Sequence, residues 1–164
     1  MLAIKRPRPL FQICAIDVGT RNFAWCIVND VHWQRPISWR HEAIVTCRGK
    51  VTRNEIVRCT RMWAESNRNL LESCDRIILE NQMRIPFIVM NTVIQTMFFD
   101  RVVVVHPLTV GAYWKLPRRR ELKKARGIEV VAEQGAMMPQ SDKQDDLADA
   151  WLMAVYGLHK LSRD

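Results

Sequence analysis

The sequence predicts an α/β fold, a mixed five-stranded sheet flanked by helices. Five short apolar runs have strand length and stop at glycine, proline or polar residues. Two capping signals, Thr52 with Glu55 and Ser141 with Gln144, open long helical stretches. Three strands come first, and helix and strand then alternate. A meander followed by β–α alternation points to a mixed sheet with helices on its faces.

Residues 11–19, FQICAIDVG, form the first strand, and GTRN turns the chain into a second strand over 22–29. HEAIVTC, 41–47, reads as a third. The intervening 31–40, with Trp33 and Trp39 around Pro36, reads as a hairpin or loop. From Thr52 a helix is expected to about Cys74. Ile56, Cys59, Trp63, Leu70 and Cys74 lie roughly on one face, with Arg53, Arg58, Arg61 and Arg68 on the other. RIILE, 76–80, is a short buried strand. Pro86 suits the first turn of a helix over 86–99, apolar enough for core or for a dimer seam. RVVVVHP, 101–107, is a strand stopped by its proline. Residues 115–126 hold seven Lys or Arg against one Glu, with helix expected from about Arg118 and weakened or broken at Gly127. Residues 128–140 have no assignment. The last helix runs from Ser141 to about His159, with Leu147, Trp151, Ala154 and Leu158 as its core stripe.

At 164 residues, 48% of them hydrophobic, the chain has the size of one domain with a real core. That domain is expected over 11–164, with 1–10 a flexible basic arm. The arm has neither the apolar segment nor the cleavage site of a signal peptide. No apolar run approaches the roughly 20 residues of a membrane span. Cys14, Cys26, Cys47, Cys59 and Cys74 form no C-x-x-C pair, so reduced thiols are expected and a zinc site is not. The net charge of +8 favours a polyanionic partner.

Against that positive background, carboxylates fall at special places. Asp17 ends the first strand, Glu80 ends RIILE, and Asp145, Asp146 and Asp149 open the last helix. Strand ends of an α/β sheet face the functional crevice. Asp146 and Asp149 share a helix face at i, i+3, as Asp145 and Asp149 do at i, i+4. Singly, each has a plain explanation: a turn residue, an arginine partner, an acid favoured at a helix start. Together they are the hard oxygen ligands that magnesium takes, and two such ions can drive an in-line displacement at phosphorus. Arg118, Arg119, Arg120, Lys123 and Lys124 form the densest basic cluster, and Arg53, Arg58 and Arg61 a second. Both suit phosphate contacts. Trp33, Trp39 and Phe87 are candidates for stacking on opened bases or for packing.

IDVGTRNFAWCIV, IILENQ and DDLADAW, in this order, resemble the RuvC-type Holliday junction resolvases of the RNase H-like superfamily, and most of all the poxvirus branch. The resemblance implies an RNase H-like fold with Asp17, Glu80, Asp146 and Asp149 as catalytic metal ligands, leaving Asp145 without a clear role. It also implies Mg²⁺, with Mn²⁺ as a substitute, and a homodimer on branched DNA. Such an enzyme makes symmetric nicks in a four-way junction that leave 5′-phosphate and 3′-hydroxyl ends, in viral DNA replication and recombination in the host cytoplasm. Members often carry a basic residue near the scissile phosphate, for which Lys115 is the candidate here.

Rival readings are a different RNase H-like nuclease (of RNA–DNA hybrids or branched DNA generally) and an inactive basic DNA-binding module. IDVGT alone also occurs in sugar-kinase-like ATPases. Those need a longer chain and a phosphate-cradling glycine loop, which is absent here, so no nucleotide cofactor is expected.

Overall fold

The computed structural model describes residues 10–46 and 51–161. Most of the proposed N-terminal arm, and Cys47, lie outside the described residues. Strands β1 (Gln12–Asp17), β2 (Phe23–Asn29) and β3 (Ser38–Glu42) form the meander. Helices α1 (Arg53–Ser66) and α2 (Arg68–Glu72) lead to β4 (Arg76–Glu80), α3 (Ile85–Met97) and β5 (Val102–Val105). Then follow α4 (Pro107–Tyr113), α5 (Arg120–Glu133) and α6 (Gln144–Leu161). The five strands lie in the order β3-β2-β1-β4-β5. The meander pairs are antiparallel, and β1–β4 and β4–β5 are parallel.

The β1–β2 turn depends on Gly19, where an added Cβ would stand 2.3 Å from the carbonyl oxygen of Asn22. Helix α1 begins with the expected capping box: Thr52 Oγ1 accepts from the Glu55 N–H, and Glu55 Oε2 accepts from the Thr52 N–H.

Alternation along the strands divides the core. Cys14, Ile16, Trp25, Ile77 and Leu79 pack on the side of α1 and α3. Ile13, Ala15, Ala24, Cys26 and Ile78 face α6, the long helix that crosses the other side. Gly157 permits that approach, because a Cβ there would meet Ile78 Cδ1 at 2.1 Å and Ile13 Cδ1 at 3.0 Å.

Five expectations are corrected. The third strand lies at Ser38–Glu42, not 41–47, because Trp39 rather than Ile44 supplies its buried side chain against α6. The helix from Thr52 breaks at Asn67, whose side-chain amide donates to the Trp63 carbonyl and ends α1. Pro107 does stop β5, but it also starts α4, capped by His106, whose Nδ1 accepts from the Leu108 N–H. Helix α5 runs through Gly127 and takes in 128–133, because Gly127 is buried against Leu152 of α6 and tertiary packing outweighs its weak propensity. The Ser141 hydroxyl accepts from the Lys143 N–H in a tight turn rather than from Gln144 in the expected capping box, and α6 starts at Gln144, not Ser141.

Candidate active site

Strand parity brings the carboxylates together. Asp17 follows Ile13 and Ala15 on the α6 side of β1, and Glu80 follows Ile78 on the same side of β4. In the parallel β1–β4 pair Ile16 lies opposite Leu79, so Asp17 and Glu80 are neighbours at the C-terminal edge. That edge is where α/β sheets open a crevice. Leu147, Ala148, Ala150 and Trp151 bury α6 on the sheet, and Asp146 and Asp149 stand on its first turns above the two strand ends.

The electrostatics are those of a crowded anionic site. Burial pushes the Asp17 carboxyl well above the ordinary carboxylate range, and the charges of Asp149, Glu80 and Asp146 push it further. Burial also raises Glu80, against the pull of Lys123. Asp149 is pushed up to about 6 by burial, then by Glu80 and Asp146 against Lys123. Asp146 is raised by burial and by Asp145. Asp145 differs. Burial pushes it up, but an ion pair with Lys124 outweighs this and holds it below the ordinary value. Asp145 is thus neutralised by protein, while Asp146 and Asp149 both act on Asp17, and Glu80 acts on Asp149.

His41 joins this group unannounced by any motif. Ala24 pairs with Asp17 on one side and with His41 on the other, so the three lie in one row across the sheet. His41 Nε2 is 3.8 Å from Asp146 Oδ2, and neither buried atom has a hydrogen-bond partner. The shift in β3 had hidden it, since the right strand position puts His41 two residues after Trp39, on the same face.

The donor set suits a hard divalent cation. It is oxygen-rich, mutually repelling, and includes a buried carboxylate oxygen without a partner. Among the described residues no three acid, His or Cys side chains yet stand close enough to ligate one ion.

Of the basic candidates, Lys123 is the one whose charge acts on Asp17, Glu80 and Asp149. Lys124 is paired with Asp145. Lys115 is exposed between α4 and α5, with a left-handed backbone (φ 54°). Arg118, Arg119 and Arg120 are exposed at the start of α5. Arg53, Arg58 and Arg61 are exposed on α1, across the sheet from the carboxylates. Trp39 is buried, donating to the Leu147 carbonyl, and Trp33 packs against Trp151. Phe87 packs on the α1–α3 core. In this structure all three aromatics are engaged in packing. Cys14, Cys26 and Cys74 are buried free thiols, as expected. Among the described residues no helix is long and apolar enough to cross a membrane.

The fold is shared with solved structures. The fowlpox virus resolvase in complex with Holliday junction DNA superposes with a TM-score of 0.67 at 20% identity, covering 92% of this chain and 99% of that one. The yeast mitochondrial Holliday junction resolvase Ydc2 gives 0.71 at 13% identity, covering 94% and 82%. RuvC of T. thermophilus with its Holliday junction substrate gives 0.63 at 14% identity, covering 93% and 96%. At such identities the likeness is one of fold, and it confirms the RNase H-like sheet expected from the sequence. No curated protein sequence matches the chain. The family described as Poxvirus A22 protein matches residues 12–160. With nearly the whole chain matched, this protein belongs to the poxvirus A22 family of Holliday junction resolvases.

Proposed function

We propose that this chain is a structure-selective endonuclease that resolves four-way DNA junctions, hydrolysing one phosphodiester in each of two strands to leave 5′-phosphate and 3′-hydroxyl ends. The observation that carries it is the meeting of Asp17, Glu80, Asp146 and Asp149 at one sheet edge, each held above its ordinary pKa. These four would hold Mg²⁺ or Mn²⁺, which when bound supplies Lewis acidity and an activated water. The residues themselves do the positioning. Asp17 and Glu80 are fixed by paired strands, so their carboxylates define where the phosphate sits. Asp146 and Asp149 close that position from the helix, with His41 beside Asp146.

Lys123, whose charge acts on Asp17, Glu80 and Asp149, suits the role of the basic residue near the scissile phosphate better than the exposed Lys115. A cation beside the carboxylates can offset the charge that grows on the phosphate oxygens as the bond breaks. The arginines at the start of α5 continue the same positive border and would hold the flanking backbone. Those of α1 lie across the sheet and would serve a more distant arm or a neighbouring copy. Symmetric nicks need two sites, so the working form is a homodimer. Ile85, Ile88 and Phe99 are exposed at or beside α3, 57%, 43% and 82% respectively, and provide its apolar seam. The domain is 11–164, and the host cytoplasm is the compartment.

The test is Asp17→Asn. It removes one negative ligand without changing shape, so junction cleavage is expected to vanish while junction binding stays. Cleavage at the wild-type rate would remove the carboxylate assignment.

A further inference from the structure

We infer that the hollow between α4 and the start of α5 is a pocket for an unpaired nucleobase of the strand being cut. The inference rests on the nuclease reading above and deepens it by naming what the site holds beside the scissile phosphate.

The hollow measures about 400 Å³, within the roughly 300–1,000 Å³ of small-ligand pockets. Its walls are apolar, including Pro107, Gly111 and Leu116, and its rim carries Arg118, Arg120 and Lys123. No acid lines it. The chemistry matches one nucleotide: a flat, weakly polar ring for the hollow and phosphates for the rim. The walls are already in place, since the Leu116 N–H donates to the Gly111 carbonyl at 2.8 Å and fixes the α4–α5 loop against the helix.

Lys123 gives the pocket its position. The same side chain lines the hollow and acts electrostatically on Asp17, Glu80 and Asp149. Geometry agrees: Glu80 pairs with Val105, two residues before Pro107 of the hollow, so a strand with one phosphate at the carboxylates would bring a flanking nucleotide to the pocket mouth. Drawing a base out of a stack costs a few kcal/mol in a duplex and least where it is already unpaired. A branch point offers such bases, so the pocket would favour cutting near a crossover over cutting within an arm. With no aromatic and no buried hydrogen-bonding side chain in its lining, it would favour any base over none, with weak sequence preference.

Gly111 provides the test. Gly111 lines the hollow and an added Cβ there meets nothing within 4 Å, so a larger side chain has room at the pocket wall without displacing the fold. It also replaces a helical glycine, which favours the helix. Single-turnover cleavage of a four-way junction with Mg²⁺ would be measured for wild type, Gly111→Ala and Gly111→Phe, on intact DNA and on junctions with an abasic nucleotide at each position flanking the cut. At one position the missing base should slow wild type by about tenfold, the scale of burying one apolar side chain's worth of ring surface. Gly111→Phe should cut the intact junction about tenfold more slowly, lose its sensitivity to that abasic nucleotide, and melt no lower than wild type. Gly111→Ala should behave as wild type. Full-rate cutting by wild type of every abasic junction overturns the pocket without any variant, as does a Gly111→Phe effect that simply multiplies with the abasic one. An intact junction left uncut by wild type would instead sink the nuclease reading itself.

Discussion

At the scale of single residues, the site is built from charges that the fold alone does not neutralise. Asp149, pushed up to about 6 by burial first, shows the consequence most plainly. A carboxyl whose folded pKa exceeds its unfolded value takes up protons on folding. Its favourable contribution is present below the folded pKa and is lost as pH rises from about 4 through 6. Without divalent ions, the protein should therefore unfold at a lower temperature at pH 8 than at pH 5. Asp149→Asn should weaken that slope, and Mn²⁺ at pH 8 should restore stability to wild type more than to Asp17→Asn. Thermal unfolding across pH, with and without the ion, measures this, and a rise in stability with pH would contradict it. Lys123→Ala should lower the cleavage rate by about 10²-fold, the cost of one well-placed charge-stabilising donor, while Lys115→Ala should not. Asp17 and Glu80 were legible in the sequence because each ends an apolar strand. The choice between Asp145 and Asp146 was not, because helical spacing allows either to pair with Asp149. What separates them is Lys124, which comes from another helix and neutralises Asp145.

At the scale of elements, the helix α6 has to lie close enough to the sheet for its aspartates to reach two strand ends. Gly157 sets that distance, three turns beyond Asp146. Gly157→Leu should cost about 1–3 kcal/mol of stability by overpacking against Ile78 and Ile13, and should lower cleavage more than junction binding. A variant that keeps wild-type melting and cleavage would show that the contact is not what seats the helix. Helices α1 and α6 were readable where their signals are local, in the capping box of α1 and the apolar stripe of α6. The missed parts were those decided by tertiary contact. β3 starts at Ser38 because Trp39 fits under α6, and α5 survives Gly127 because that glycine lies against Leu152. The seven-residue α4 is announced only by a proline that equally well reads as a strand end. His41 stayed hidden with β3.

At the scale of the whole molecule, positive charge surrounds a negative centre, and its distribution was not readable from composition. Arg118 and Arg120 stand with Lys123 around one hollow, while the α1 arginines sit across the sheet from the carboxylates. Junction affinity should fall steeply with salt, and the slope should lessen by about one for each phosphate-contacting arginine removed at the start of α5. The mixed five-stranded sheet followed from the sequence of elements and the family from its motifs, but the strand order β3-β2-β1-β4-β5 did not. The central claim is that two such molecules cut one branched DNA at paired sites. The most direct measurement is cleavage of a four-way junction labelled on each strand, with and without Mg²⁺. Ion-dependent nicks at symmetric positions in two opposing strands, rejoined by ligase, are the expected result. Cutting of RNA–DNA hybrid with the junction left intact, or a single unpaired nick per junction, would contradict it.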